Sequence, residues 1–395
     1  MQLPLSIDAY TSTSAAGVGN SALHDSLRRR VGGLRQNDFP PAAGLPAWIG
    51  RIDALETIAL PSAWRDYDCR NQRLAALALD QDDFSDHVAA ACRRYGPARI
   101  GCLVGSSTSG MLETELGFRA RSGSGEPLPE SVDFTHRHSL FAVSDFVRRY
   151  LGLAGPAWTV STACTSSAKV FAAAARLIDN DLCDAVVVGG VDSLCLTTLY
   201  GFHSLELLSK TPCRPFAADR DGISIGEAAG FALLSRDGDG ECALLGWGES
   251  SDGYHISTPA PQGTGALQAM RQALSAAGIH PAQVDYINFH GTATINNDRA
   301  EATAVVTLFG NRTPCSSTKG WTGHTLGAAG ITEAVISLIC LQASMLPGNL
   351  NTEEFDPEFS ADLISANRTA PIRRALSNSF GFGGSNCSLV FGRRE

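Results

Sequence analysis

A cysteine lies among small residues in the segment STACTSSA, residues 161–168, between an apolar run that ends at Val160 and an Ala-rich helical stretch. The pattern predicts that Cys164 occupies a tight turn from a strand into the first turn of a helix. The positive end of the helix dipole favours the thiolate over the thiol there, and small neighbours let backbone N–H groups face a reacting carbonyl. Cys164 is therefore a candidate nucleophile, and a buried structural cysteine is the alternative interpretation.

Two histidines far downstream could complete a site. His290 follows an alternating segment, residues 284–289, and precedes the residues GTAT. His324 lies in the Gly-rich segment 317–330, with Lys319 five residues before it and a helical stretch after it. Alone, each histidine is more often a structural residue that satisfies polar groups in a turn. Together with Cys164 they indicate thiolate chemistry, because such chemistry needs groups that stabilise a developing oxyanion.

A third segment, NSFGFGGSN at residues 378–386, is rich in glycine and precedes the apolar residues 387–391. Its glycines permit positive φ angles and a close approach of backbone N–H groups to a ligand. It is not a dinucleotide-binding loop, because G-x-G-x-x-G is absent and a strand follows instead of a helix. The alternative is a simple Gly-rich turn into a terminal strand.

The elements that position these residues follow from hydrophobic periodicity. Helical patterns cover residues 166–178 and 328 to about 342, and the apolar run 184–190 is typical of a strand buried on both faces. The acidic turn at residues 237–241 predicts a hairpin between the apolar runs 231–234 and 242–245. The alternation of strands and helices predicts a layered α/β domain with mixed or parallel sheets.

Composition excludes several functional classes. Hydrophobic residues make up 44% of the 395 residues and charged ones 18%, which predicts a large core. The net charge of −9 at pH 7 argues against nucleic-acid binding across a broad face. We expect no membrane span, because no apolar run reaches roughly 18 residues. The first 20 residues lack the pattern of a signal peptide, so we expect a cytoplasmic protein.

The eleven cysteines are scattered and contain no C-x-x-C pair, so they predict no disulfide framework. Most lie in apolar runs, where cysteine behaves as a small buried hydrophobe. Only Cys164 stands apart. We expect no metal site, because the pair His136 and His138 is isolated from any ligand motif of known spacing.

Together these segments resemble the β-ketoacyl-acyl-carrier-protein synthases of the I/II type, condensing enzymes with a thiolase-like fold. The resemblance extends from about Val160 to the C-terminus. It includes further matching residues: Arg214, Pro215, Phe216, Asp219, Arg220, Asp221, Gly222, Asp298 and Glu301. The resemblance implies an α/β fold, a five-layered α-β-α-β-α sandwich of two pseudo-duplicated halves. Residues 1–245 would carry the nucleophilic cysteine and residues 246–395 both catalytic histidines.

The resemblance also implies a reaction. Cys164 would take an acyl chain from the phosphopantetheine thioester of an acyl carrier protein, with no resident cofactor. His290 and His324, as neutral N–H donors, would stabilise the enolate left when a malonyl thioester loses carbon dioxide, giving a 3-oxoacyl carrier protein. The partners implied are the carrier protein and a second subunit, in a homodimer or in a heterodimer with a related ketosynthase-like chain.

Supporting residues are implied in the same way. Lys319 would order the second histidine, with Glu333 as its ionic partner. The backbone N–H groups of Cys164 and Phe382 would form the oxyanion hole.

The same resemblance implies the residues that contact the substrate. Thr292 and Thr294 would contact the pantetheine arm, and Phe382 would gate the entrance. Thr108 and Phe202 would line the acyl tunnel. The small, partly polar pair Ser107-Thr108 predicts a fit to unsaturated or polyketide-like chains, so a fatty acid pathway and a polyketide or aryl polyene pathway both stay open.

Three other kinds of protein are alternatives to a decarboxylating ketosynthase. A catalytically silent partner subunit would lose the nucleophile, but Cys164 is present. A non-decarboxylating thiolase would carry a second catalytic cysteine near the C-terminus, where this chain has Phe382 at the turn and Cys387 in the strand beyond it. A priming-type synthase would pair one histidine with an asparagine, whereas this chain supplies His324.

Carrier proteins are acidic, so docking predicts a basic patch despite the net charge. The candidate segments are residues 64–65, 70–73 and 210–214. A solvated charged face is the alternative for each of them.

Overall fold

The computed structural model describes residues 3–121, 123, 125–129 and 132–394. The strands are β1 (Leu5–Ser14), β2 (Gly17–Val18), β3 (Leu34–Gln36), β4 (Trp48–Gly50), β5 (Ile100–Gly105), β6 (Ala157–Val160), β7 (Ala185–Asp192), β8 (Ile225–Gly226), β9 (Ala228–Ser235), β10 (Cys242–Ser251), β11 (Tyr286–Asn288), β12 (Cys315–Ser316), β13 (Met345–Leu346), β14 (Arg368–Thr369), β15 (Arg374–Gly381) and β16 (Ser385–Arg393). The α-helices are α1 (Asn20–Arg29), α2 (Arg70–Leu79), α3 (Phe84–Tyr95), α4 (Met111–Arg119), α5 (Leu140–Tyr150), α6 (Ser166–Asp179), α7 (Leu196–Ser204), α8 (Thr264–Ala277), α9 (Ile295–Phe309), α10 (Lys319–Thr322) and α11 (Ala329–Ala343).

The strand order shows an internal repeat. The main strand path runs β12-β11-β15-β16-β10-β1-β9-β7-β5-β6. Strands β1, β5, β6, β7 and β9 form the first set, and β10, β11, β12, β15 and β16 form the second. The five strands of each set can be numbered from one to five in the order in which they occur along the chain. Across the sheet, both sets then have the same order, 3-2-4-5-1, and the same parallel and antiparallel pairs.

The two sets meet where β1 and β10 pair antiparallel. The predicted division after residue 245 falls inside β10, whereas the repeat assigns the whole of β10 to the second set. The predicted hairpin around residues 237–241 is wrong, because β9 and β10 are not neighbours. Each pairs with a different side of β1, since periodicity identifies a strand but not the strand beside it.

Five layers follow from these sets. Helices α2, α3 and α5 cover the outer face of the first set, and α8 and α9 cover the outer face of the second. Helices α6 and α11 lie between the two sets in the largest core cluster. The sheets are mixed, as the alternation of strands and helices predicted, and the layers are α-β-α-β-α, as the family resemblance implied.

The central helices are apolar on most of their surface because both sides are covered. Residues 326–343 are long and apolar enough to cross a bilayer by length and composition, but 89% of that window is buried inside the fold. The two helices also approach closely: a Cβ at Gly330 of α11 would lie 2.4 Å from the backbone nitrogen of Ala168 in α6. Glycine at this position therefore lets the helices, and the loops before them, come together.

Candidate active site

Equivalent loops of the two halves bring Cys164 and His324 together. Cys164 lies between β6, the third strand of the first set, and α6. His324 lies between β12, the third strand of the second set, and α11. Because α6 and α11 pack side by side, the loops that precede them meet, and Cys164 Sγ lies 3.0 Å from His324 Nε2.

The turn before α6 presents the cysteine to a cavity. Ala163 has a φ of 53°, in the left-handed region that a residue with a Cβ adopts only at a cost. Ser166 holds this turn, because its hydroxyl donates to the carbonyl oxygen of Ala163 at 2.6 Å and accepts from the N–H of Thr162 at 2.9 Å. Cys164 is 6% exposed and lines a cavity of about 390 Å³.

His290 reaches the same cavity from the end of β11. The His290 and His324 rings are nearly perpendicular, with centroids 5.2 Å apart. The buried Glu301 holds the backbone here, since its carboxylate accepts the N–H groups of His290 and Gly291, each at 2.8 Å. Asn378 donates to the same carboxylate at 3.1 Å, which ties the Gly-rich C-terminal segment to the loop of His290.

Asp298 joins two more of the matching segments. Its carboxylate accepts the N–H of Phe216 at 2.9 Å and the N–H of Ala293 at 3.2 Å, and both of these residues have positive φ angles. Arg220 Nε lies 3.6 Å from Asp298 Oδ2. Burial raises the pKa of Asp298 to about 6, against the hydrogen bond from Phe216 and the charge of Arg220. Segments that are far apart in sequence thus form one network behind the histidines.

Ionisation of the cysteine differs from the expectation. The helix-end position predicted a favoured thiolate, but burial raises the pKa of Cys164 to about 11, while the charge of Lys319 and the N–H of Phe382 act in the opposite direction. Burial, followed by the charge of Lys319, lowers the pKa of both His290 and His324 well below 6.5. The site therefore holds a neutral thiol and two neutral imidazoles near pH 7.

Lys319 contacts the first histidine, not the second as predicted. Its ammonium lies 3.3 Å from His290 Nδ1, donates to the carbonyl oxygen of His290, and forms a buried ion pair with Glu333. Burial raises the pKa of Glu333 to about 7, and Lys319 opposes that rise. The contact with His290 follows from the topology. Strands β11 and β12 are parallel neighbours, so the loop after β12 lies beside the end of β11, where His290 lies.

His324 is fixed through its backbone. Its N–H donates to the carbonyl oxygen of Ser224 at 2.7 Å, and its carbonyl oxygen accepts the N–H of Gly226 at 3.0 Å. Within the described residues, His324 Nδ1 has no hydrogen-bond partner. Its ring orientation therefore depends on the backbone, on packing and on the contact of Nε2 with Cys164.

The Gly-rich C-terminal segment forms the turn between β15 and β16, next to the cysteine. A Cβ at Gly381 would lie 3.3 Å from the backbone nitrogen of Cys164, so this strand end passes directly over the nucleophile. The backbone N–H of Phe382 stabilises the Cys164 thiolate. The Phe382 ring packs on Phe202 of α7, with centroids 5.5 Å apart, and both residues line the cavity. The oxyanion-hole and gating roles stay predictions.

The structure brings most of the remaining predicted contacts to the cavity. Thr292 and Thr294 line it, and their hydroxyl oxygens lie 2.9 Å apart. Thr108 does not line it: this residue is 1% exposed and donates its hydroxyl to Asp192 at 2.9 Å. The expectation of a polar tunnel at Ser107-Thr108 therefore loses its basis, because those hydroxyls are turned toward a buried carboxylate.

One predicted docking residue is also buried. Arg70 is 6% exposed, pairs with Glu227 at 2.6 Å and with Glu56 at 2.7 Å, and so cannot face a carrier protein. Arg73 is half-buried and pairs with Asp68 at 2.6 Å. Charge pattern alone could not show this, because exposure depends on tertiary packing.

The donor atoms of Cys164, His290 and His324 all lie within 4.8 Å of one another. Such a set has the ligand types that Zn²⁺ accepts. The Lys319 ammonium, 3.3 Å from His290 Nδ1, opposes a second cation there. The arrangement fits nucleophilic and oxyanion chemistry better, since the thiol faces an open cavity between two neutral imidazoles.

Sequence reasoning missed Asp192 and the backbone contacts of His324. Asp192 ends β7 and is fully buried beside the loop that follows His324. A polar residue directly after the buried run at the end of β7 was the available signal, because the ends of such strands often carry site residues.

Comparisons with known proteins agree with this geometry. Residues 77–239 match the β-ketoacyl synthase N-terminal domain and residues 241–353 the C-terminal domain, so the two matches divide in the connection between β9 and β10. A 3-oxoacyl-[acyl-carrier-protein] synthase 2 of Rhizobium meliloti (strain 1021) is 40% identical over 260 residues, which are 61% of this chain and 62% of that protein. The protein of the same name from Staphylococcus aureus (strain COL) is 33% identical over 314 residues, 75% of this chain and 76% of that protein. Among solved structures, the ketosynthase ApeO of Xenorhabdus doucetiae, in complex with its chain length factor ApeC, is similar with a TM-score of 0.90 and 38% identity, over 99% of this chain and 98% of that chain.

Proposed function

This chain belongs to the β-ketoacyl synthase family, and from that premise we propose that it joins an acyl group held on Cys164 to a malonyl group on an acyl carrier protein. The malonyl group loses carbon dioxide, and the product is a 3-oxoacyl carrier protein. One observation carries the proposal: the reactive atoms of Cys164, His290 and His324 lie within 4.8 Å of one another at the wall of one cavity.

In the first half-reaction Cys164 Sγ attacks the thioester carbonyl of the acyl carrier. Because burial keeps the resting thiol protonated, its proton must leave Sγ as the S–C bond forms. The N–H groups of Cys164 and Phe382 stabilise the tetrahedral oxyanion. The carrier thiolate then leaves and takes the proton.

In the second half-reaction the malonyl carrier enters. Its carboxylate leaves as carbon dioxide, and neutral imidazole N–H groups stabilise the enolate. Lys319 faces His290 Nδ1, so that nitrogen accepts and the proton of the ring sits on Nε2. The carbanion attacks the acyl carbonyl, and the expelled Cys164 thiolate takes up one proton from solvent, which balances the negative charge of the lost carboxylate.

We propose no resident cofactor, because loss of carbon dioxide generates the carbanion in place. The acyl and malonyl groups arrive on phosphopantetheine. Thr292 and Thr294 line the cavity with hydroxyls 2.9 Å apart and are placed to contact that arm.

A second subunit completes the proposal. Strand β6 ends the main sheet, and among the residues that the structure describes β5 is its one ladder partner. Trp158 on this strand is 37% exposed, and Phe134 and Phe141 expose large apolar rings. An unprotected edge strand with exposed apolar groups favours pairing with another chain. Since ApeO was solved with its chain length factor, we propose a heterodimer with a related ketosynthase-like chain, and a homodimer is the alternative.

Native mass spectrometry of the chain alone and after co-expression with a ketosynthase-like chain, such as the chain length factor ApeC, tests the partner. The heterodimer proposal predicts a 1:1 complex of the two chains. A stable dimer of this chain alone that ignores the second protein contradicts it.

Reconstitution tests the reaction. The purified protein, with its partner where one is found, is mixed with a panel of acyl carriers and malonyl carrier, and products are read by mass spectrometry. The proposal predicts one carbon dioxide for each 3-oxoacyl carrier formed. Exchange of acyl groups without carbon dioxide would favour the thiolase alternative. Activation of another ketosynthase without acylation of this chain would favour the silent subunit.

A further inference from the structure

A buried carboxylate that the proposed reaction does not use lies beside the site. Asp192, at the end of β7, is fully buried. Its oxygens accept hydrogen bonds from the loop after β5 and from one N–H of the second half. The donors are Ser106 Oγ, Ser107 N and Oγ, Thr108 N and Oγ1, and Gly327 N. Burial raises the pKa of Asp192, and the hydrogen bonds from Ser106, Ser107 and Thr108 act in the opposite direction. So many donors stabilise the ionised carboxylate, which organises the chain around it.

The bond from Gly327 crosses between the halves. Gly327 N–H lies 2.6 Å from Asp192 Oδ2, three residues after His324. A Cβ at Gly327 would lie 2.7 Å from that oxygen, so no side chain fits between them. The preceding Leu326 has a φ of 55°, which a branched residue adopts only where its surroundings enforce it. The turn then enters α11, whose positive end faces the carboxylate.

Asp192 also acts on the nucleophile. The imidazoles of His290 and His324 lie beside Cys164, and the charges of Lys319 and Asp192 act on it without direct contact. The charge of Asp192 disfavours the thiolate, whereas the charge of Lys319 favours it. A substitution at Asp192 therefore changes two separable properties, the position of the His324 loop and the acidity of the thiol.

We propose that Asp192 is a positioning residue, which through Gly327 fixes the loop of His324 against the half that carries Cys164. This inference rests on the proposed function, because it assigns His324 a part in the decarboxylating half-reaction. Asp192 touches neither substrate nor reacting atoms and acts through the loop.

The test uses Asp192→Asn and separates the half-reactions. The carbonyl oxygen of asparagine should replace Oδ1, which accepts two backbone N–H groups, so the amide nitrogen replaces Oδ2 and cannot accept the N–H of Gly327. We therefore expect decarboxylation of malonyl carrier to fall at least about tenfold, while acyl transfer to Cys164 changes less than about threefold. Loss of a nearby negative charge lowers the pKa of a thiol, so iodoacetamide should alkylate substrate-free Cys164 about 3 to 10 times faster at pH 8.

A second variant, Gly327→Ala, moves the loop but keeps the charge. It should lose decarboxylation like Asp192→Asn without accelerating alkylation. The matched control is Glu227→Gln, which removes another fully buried carboxylate, one that binds Arg70 and the N–H groups of Ile52 and Leu194. It should lower the melting temperature and leave both the alkylation profile and the ratio of the half-reactions unchanged.

Three results would overturn the inference: decarboxylation by Asp192→Asn at the wild-type rate, loss of both half-reactions in equal proportion as in a general folding defect, or full activity of Gly327→Ala. Failure of the wild-type protein to decarboxylate malonyl carrier would instead contradict the proposed function, so the two failures are distinguishable.

Discussion

The loop after β6 and the loop after β12 occupy equivalent places in the two halves, yet one presents a thiol and the other an imidazole. Each follows the third strand of its set and leads into a central helix. The first is built from small residues and a strained Ala163. The second is held from behind by backbone bonds to Ser224 and Gly226. A shared framework therefore places two different reactive groups face to face, 3.0 Å apart.

The difference between the two loops lies in what supports them. On the first side, small neighbours, the helix end and nearby N–H groups leave the thiol in contact with the cavity. On the second side, burial keeps both imidazoles neutral, and the ammonium of Lys319, which is paired with Glu333, acts in the same direction. We infer that the first half supplies acyl transfer and the second half supplies decarboxylation. The following variants test that division.

The largest expected effect is that of Cys164→Ala. Condensation should fall by at least about 10³-fold, because no other group can hold the acyl chain, while decarboxylation of malonyl carrier continues. The matched control is Cys213→Ala. Burial raises the pKa of Cys213 to about 11 as well, and its sulfur donates to the carbonyl oxygen of Lys319 at 3.2 Å, but it does not line the cavity. Equal losses in both variants would contradict a special role for Cys164.

His290→Ala should show the reverse pattern. Loss of one donor to a developing oxyanion costs about 10²–10³-fold, so decarboxylation should fall by that amount while acylation of Cys164 stays within about tenfold of wild type. Single-turnover measurements of each half-reaction check this. If acylation falls as far as decarboxylation, acyl transfer and decarboxylation are not assigned to separate halves of the molecule.

Lys319→Met should lower folding stability and also decarboxylation, because Lys319 lies against His290 Nδ1. Removing one partner of a buried ion pair leaves Glu333 uncompensated, and the free energy of unfolding should fall by about 3–5 kcal/mol in urea titrations. Replacing both partners, as Lys319→Met with Glu333→Leu, should recover much of this stability but not decarboxylation. Recovery of both would assign the pair a structural role alone.

The pH dependence should distinguish the thiol from an exposed one. Because burial raises the pKa of Cys164 to about 11, its thiolate fraction keeps rising above pH 9, and alkylation at pH 8 should be about 100-fold slower than for a thiol of pKa 9. The histidines have lowered pKa values, so they stay neutral as the pH falls to 6.5. Decarboxylation should therefore show no loss between pH 8 and pH 6.5. An alkylation plateau below pH 9 would contradict the buried thiol.

The smallest effect concerns the contact between the halves. A Cβ at Gly330 would lie 2.4 Å from the backbone nitrogen of Ala168, so Gly330→Ala must separate α6 from α11. We expect about 1–3 kcal/mol less stability and a modest loss of condensation, since Cys164 and His324 move apart. Gly201→Ala, in open space on α7, is the control. Equal stability and equal condensation activity of the two variants would show that the close contact of α6 with α11 does not position Cys164 and His324.

Local pattern predicted the elements well. Helices predicted at 166–178 and from 328 to about 342 are α6 and α11 within one residue, and the apolar run 184–190 is the core of β7. These elements are strongly periodic or continuously apolar, so sequence alone marks them. No such pattern shows which strands are neighbours in a sheet. The hairpin predicted at residues 237–241 was therefore wrong, because β1, more than 200 residues upstream, lies between β9 and β10.

The sequence predicted which residues form the site, but not the pKa values or the contacts of those residues. Motifs that are far apart gave Cys164, His290 and His324, and the fold brings them together. The pKa of Cys164, the partner of Lys319 and the direction of Thr108 depend on what surrounds each group after folding. A single sequence does not contain those distances, so expectations based on a local helix end or on spacing along the chain failed there.

Peptide mapping of the acyl-enzyme tests whether Cys164 is the residue that holds the acyl chain. The protein is exposed to an acyl carrier without malonyl carrier, digested and analysed by mass spectrometry, with the other ten cysteines as internal references. We expect one acyl group per chain, on the peptide that contains Cys164. When malonyl carrier is added, this acyl group should leave Cys164 and be recovered in the 3-oxoacyl carrier. An acyl group on any other cysteine, or on none, would contradict this expectation.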